Sequence, residues 1–255
     1  MYAFLKPSFT GCAALLIVGC ANNVAVKDVL GNPAEYLTTL TPATLRTEVV
    51  ASLPRGEPPL EFKQIDFQTE VAEIRNDQTP ERVVTTKSVF VNVGNGLLRS
   101  YDELSTNGVP FRINYKLSYR GFLPLKWQPV FLNRSNADMM QEMKSLKRID
   151  SLPGGMTMGG TLQYELTFGS QMQLANFREG KDVCTVGAIA SASDLNPNLE
   201  GKWTELSCVN YGSNGQLLSR STYAYLNRYG LTLLRSFVDS ASQSTHKLRS
   251  IQIQQ

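Results

Sequence analysis

The chain has 255 residues, 42% hydrophobic and 18% charged, which is enough apolar material for a core and excludes a wholly disordered polypeptide. Lys and Arg number 25 against 22 Asp and Glu, and a net charge of +3 is too weak to be an electrostatic footprint for nucleic acid. One histidine argues against multi-histidine metal sites, and four cysteines in a chain this long do not make a disulfide-dense scaffold.

Lys6 precedes an apolar run from Ala13 to Val18, and residues 1–19 hold no acid. The run is too short to span a bilayer, which takes about 20 apolar residues, and it fits the apolar region of an export signal. It leads into Ile17-Val18-Gly19-Cys20, which resembles the lipobox of bacterial lipoproteins. The resemblance covers only these residues. It implies cleavage after Gly19, diacylglycerol on the Cys20 thiol, and fatty acylation (palmitate-like) of the new amino group. Several acyl chains anchor a protein stably where one does not. Ala21, where Asp would favour inner-membrane retention, implies the outer membrane. The expected organisation is a signal peptide at 1–19, a tether at 20–40 with Gly31 and Pro33, and a periplasmic body.

Thr41-Pro42 is suited to start a short helix with Leu45, Val49 and Val50 inward. Residues 53–59, with three prolines and a glycine, break regular structure. From Phe62 to Ile74 the apolar residues alternate imperfectly, and β signals then dominate. Strands are expected over 83–93 and 97–104 around Gly94-Asn95-Gly96, and over 111–122 after Asn107-Gly108. In the last of these, Phe111, Ile113, Tyr115, Leu117 and Tyr119 alternate with Arg112, Asn114, Lys116 and Ser118, the pattern of a strand with one wet face. Residues 136–149 read as the one helix of the body: Ser135 and Asp138 make a capping-box-like start, and Met139, Met140, Met143, Leu146 and Ile149 recur at near-helical spacing. The Gly-rich stretch 153–160 separates a first β-rich half, 41–150, from a second, 161–255. Further strands are expected over 162–168, 183–190, 203–211, 217–226, 231–238 and 247–253. Residues 91–98 and 209–218 share a Val-Asn…Asn-Gly…Leu-Leu order, which leaves two readings open: related halves, or generic Asn-Gly hairpins. The fold class is mainly β, in antiparallel sheets forming a sandwich or an incomplete barrel.

With Cys12 removed and Cys20 lipidated, Cys184 and Cys208 remain in an oxidising compartment, where two thiols pair. Antiparallel partners keep a constant index sum, so the turn of their hairpin centres on Asn196, within the loop-like run 194–201.

Two motifs come near to ligand chemistry. Gly154-x4-Gly159-Gly160-Thr161 lacks the lysine of a phosphate loop, and Asp194-x-Asn196-x-Asn198-x-Glu200 has Leu199 and Pro197 where a calcium loop needs a sharp glycine turn. No metal site, cofactor or catalytic residue is singled out, and His246 reads as an exposed structural histidine. The expectation is a non-enzymatic scaffold or binding component of an envelope assembly, with the membrane and an envelope protein as partners. Two rivals stay open: a carrier of lipid or another apolar ligand, and an envelope glycan hydrolase working through two carboxylates.

Overall fold

The computed structural model describes residues 24–75, 78–147, 149 and 155–255. The expected signal peptide, the lipobox-like residues with Cys20, and part of the 153–160 break lie outside the described residues. Before the first strand the helical segments are α1 (Val26–Gly31), α2 (Pro33–Thr38) and α3 (Thr47–Ala51), with a 3-10 turn at Pro42–Thr44 between the last two; a second 3-10 turn, Ala192–Asp194, lies later in the chain.

Twelve antiparallel strands follow: β1 (Gln64–Arg75), β2 (Gln78–Asn92), β3 (Leu97–Thr106), β4 (Val109–Tyr119), β5 (Leu123–Phe131), β6 (Gln141–Lys147), β7 (Thr161–Ser170), β8 (Arg178–Ser191), β9 (Lys202–Gly212), β10 (Leu217–Leu226), β11 (Leu231–Asp239) and β12 (Ser242–Gln254). Each pairs with its neighbour in sequence, and β12 returns to pair with β1 from Gln64–Gln254 to Arg75–Ser242. The fold is therefore mainly β and antiparallel, as expected, but the sheet is a closed barrel instead of a sandwich or an incomplete barrel. Closure removes the free edges that an open sheet must protect. Turns alternate between two rims. The upper rim carries the turns after odd-numbered strands, and the lower rim those after even-numbered strands.

The expected helix at 136–149 is not formed: Gln141–Lys147 is strand β6. Met143 and Leu146 lie three apart, which mimics a helical period. In the sheet Met143 opposes Phe168 and Leu146 opposes Leu166, with a bulge between Met143 and Ser145. The extra residue, Lys144, lets two side chains three apart face the same way. Strand β5 has no counterpart in the sequence reading because Pro124 and Pro129 argue against a strand. Pro124 sits at a bulge opposite Ser118, and the β5–β6 ladder is only Lys126–Glu142 and Trp127–Gln141, so the missing N–H groups cost little.

The two echoing hairpins, β2–β3 and β9–β10, are seven strands apart and turn at opposite rims. A duplication of six-strand halves would place them six apart, so the topology favours generic Asn-Gly hairpins. Strands β6 and β7 pair directly, so residues 148–160 connect neighbours in one continuous sheet.

The interior is filled from the lower rim. One core joins Leu97, Leu125, Met143, Leu162, Leu166, Val186 and Leu206, with Val49 and Leu53 from α3 and its sequel. A second joins Ile65, Phe90, Leu98, Trp203, Leu226, Leu231 and Ile251. Between them the β4–β5 turn reaches across, where the Thr232 N–H donates to the Arg120 carbonyl at 3.0 Å. A third cluster lies on the outer wall: Val26, Val29, Leu37 and Leu40 cover Ile113, Tyr115 and Leu117 of β4. Part of the stretch read as a tether is thus docked on the barrel. The alternation of β4 is inverted relative to a simple wet face. Its apolar side is outward beneath helices, and Lys116 and Asn114 turn inward.

Candidate functional site

Cross-strand register places every second residue in the barrel, and on this inward parity lie two polar clusters. On the β2–β3–β4 wall the Ser88 hydroxyl donates to Asp102 at 2.7 Å, and Lys116 Nζ meets the other oxygen of Asp102 at 2.6 Å. His246, on β12 opposite Val71, bonds the Ser244 hydroxyl at 3.1 Å. It is half-buried and inward, not exposed as its sequence context suggested. Burial, reinforced by the Lys116 charge and opposed by Asp102, pushes its pKa down to about 4.

On the β7–β8–β9 wall Tyr164, Asp182 and Asn210 lie in one cross-strand row. Asn210 Nδ2 donates to Asp182 at 3.2 Å. Burial pushes the Asp182 carboxyl up to about 6, although hydrogen bonds from Asn210 and Tyr164 favour its charged form. The Tyr164 hydroxyl is pushed well up by burial and by the neighbouring Asp182.

Glu142 holds a third polar centre, on the outer side of β5 and β6. Lys144 Nζ lies 2.8 Å and Lys126 Nζ 3.4 Å from its carboxylate, with Arg46 Nε at 3.3 Å from the segment before α3. Both lysine side chains are almost wholly buried. Burial would raise the Glu142 pKa, but Lys144, Lys126 and Arg46 together outweigh it and hold the carboxyl below its ordinary value. This cluster ties the N-terminal segment to the wall.

The sheet also presents a recess on the outer face of β6–β9, a groove of about 480 Å³. Lys147, Glu165, Lys181 and Tyr211 form one cross-strand row along it, and Ser145, Thr167 and Glu179 form the next. Alternating charges and hydroxyls suit a polar, extended segment better than an apolar ligand.

Cys184 and Cys208 are directly opposed on β8 and β9 and joined by a disulfide across 24 positions of sequence. Asn196 lies in the connecting loop, where its Oδ1 accepts from the Asn198 N–H at 3.0 Å. The calcium-like run is thus used for loop structure, and Glu200 pairs with Arg228. Gly159 and Gly160 exchange backbone hydrogen bonds with Val186 and close the β7–β8 wall below. Among the described residues no group of three or more His, Cys, Asp or Glu side chains is placed to hold a metal ion.

Sequence reasoning missed Asp182, the inward His246 and the groove. The available signal was parity: Asp182 shares its alternation with Cys184 and Val186, and His246 shares its own with Leu248. Comparison with protein-family models, curated proteins and solved structures gives no match to this chain, so its chemistry is read from its own geometry.

Proposed function

We propose that the chain is an outer-membrane lipoprotein, held by acyl groups on Cys20, that acts without catalysis as a binding component of an envelope assembly. The observation that carries the reading is the outer groove over β6–β9, with its Lys147–Glu165–Lys181–Tyr211 row. Such a row recognises an extended polar segment of a protein partner through alternating charge and side-chain hydrogen bonds. A carrier of apolar ligands needs an apolar chamber, whereas here two packed cores occupy the apolar part of the interior and the rest is lined by polar groups such as the partly exposed Lys116. The anchor rests on the lipobox resemblance of residues 17–20.

The test is a photo-crosslinking residue at Tyr211 in the exported protein, with a second at Lys247 on another wall. A discrete envelope-protein adduct at Tyr211, abolished by Lys181→Glu, is expected. Equal adducts at both positions, or none at Tyr211, would refute the groove as the binding site. A second reading draws on Glu165 and Glu179, which share the groove. Glycan turnover lost in Glu165→Gln would replace binding with hydrolysis.

A further inference from the structure

We propose that the upper rim seats on the phospholipid bilayer that holds the acyl chains, fixing the orientation of the barrel. This rests on the lipoprotein reading above and adds a second membrane contact to it.

Four successive upper-rim connections carry exposed apolar side chains. Val109, the first residue of β4, is 67% exposed beside the β3–β4 turn, Met139 58% in the β5–β6 connection, and Met172 69% and Leu174 87% in the β7–β8 turn. Leu217 and Leu218 are exposed at the start of β10. Surface turns ordinarily carry polar residues, and a contiguous exposed apolar patch marks an interaction site. These tips are neighbours. The Gln171 N–H donates to the Met140 carbonyl at 2.8 Å, joining the β5–β6 and β7–β8 connections, and the Leu132 N–H donates to the Phe111 carbonyl near the start of β4. Among the described residues, the lower-rim turns expose one large apolar side chain, Met158, and Ile189 near the lower end of β8 is also exposed.

The position of the chain's entry identifies the occupant. Ala25 forms a β-bridge with Asn136, and the Ala137 N–H donates to the Val24 carbonyl at 2.9 Å. Both partners lie in the β5–β6 connection, so the described chain begins at the upper rim. Cys20 stands four residues before Val24, a separation that extended backbone covers in at most about 14 Å. Acyl chains on Cys20 therefore enter lipid beside Met139 and Leu174, and the apolar tips need little movement to follow. The walls below remain in water. Glu70, Lys87, Lys247 and Arg249 lie on the outer faces of β1, β2 and β12, whereas a barrel that spans a bilayer carries an apolar outer band. Tips in lipid and walls in water describe a barrel standing on the membrane.

The full chain, exported and acylated, is given a single reporter cysteine, Leu174→Cys or Met158→Cys, and labelled with a polarity-sensitive dye. It is reconstituted in vesicles of phosphatidylethanolamine and phosphatidylglycerol. The dye at position 174 is expected to shift to the blue and to resist an aqueous quencher at least about threefold better than the dye at 158. A second variant, Met172→Ser with Leu174→Ser, alters two exposed side chains and is read by a dye at Met139→Cys. Its ratio of vesicle-inserted to uninserted rim falls at least about tenfold, because each lost apolar contact is worth that factor or more. Intact mass separates the two claims. Acylated Cys20 with no protection at 174, or equal protection at 158, overturns rim seating and leaves the anchor standing. Unmodified Cys20 overturns the anchor and rim seating together. Protection that requires an added envelope protein assigns the rim to that protein and overturns the lipid assignment.

Discussion

Asp182 and His246 should set opposing pH dependences of stability that nearly cancel in the native protein. The Asp182 pKa rises from 3.8 to about 6 on folding, so the stabilisation by its neutral form is complete below pH 3.8 and is lost as pH rises through 6. The His246 pKa falls from 6.5 to about 4, so the stabilisation by its neutral form is complete above pH 6.5 and is lost as pH falls through 4. At about 1.4 kcal/mol per pKa unit, each displacement amounts to about 3 kcal/mol. The slopes have opposite sign across the same interval. The two groups share no hydrogen-bond partner, so their effects should add. Urea unfolding from pH 4 to 6.5 should give a nearly level profile for the native chain. In Asp182→Asn, stability should rise by about 3 kcal/mol from pH 4 to 6.5, and in His246→Gln it should fall by a similar amount. Variant profiles parallel to that of the native chain would show that both groups titrate normally and that the interior is wetter than its packing implies.

Glu142→Gln leaves Lys126, Lys144 and Arg46 without their common carboxylate. A loss of about 3–5 kcal/mol is expected, measured as a fall in Tm of about 10 °C. Because the Glu142 pKa is lowered, its contribution is present above pH 4.5 and lost as pH falls through the folded value, so acid should narrow the difference. Reduction of Cys184–Cys208 should cost roughly 3 kcal/mol from loop closure, read as a lower urea midpoint with and without dithiothreitol. Gly121→Ala should cost about 2 kcal/mol by calorimetry. Gly121 has φ +69°, and a Cβ there would lie 2.9 Å from Leu231 Cδ1 and 3.0 Å from the Thr232 carbonyl.

Much of the sheet was legible because period-two alternation is a local property. The strands at 217–226 and 231–238 match β10 and, to one residue, β11. The disulfide followed from index arithmetic because a hairpin fixes its own register. What failed depended on distant contacts. Met143 and Leu146 gave a helical spacing that a bulge reinterprets, and no local rule announces a bulge. The last strand, expected over 247–253, begins at Ser242 because β1 supplies its partner from the far end of the chain. The inward turn of Lys116 could not be read without knowing that α1 and α2 would cover the apolar side of β4. The groove likewise exists only when four strands stand side by side.

The barrel is completed by the contact between β1 and β12, whose residues lie at opposite ends of the folded region. As the chain is made, β1 emerges early and its outer hydrogen-bonding groups stay without a strand partner until β12 arrives. Any protein that guards this nascent edge must release it to the chain's own last strand. Delayed release would favour strand exchange between two molecules, each lending β12 to the other.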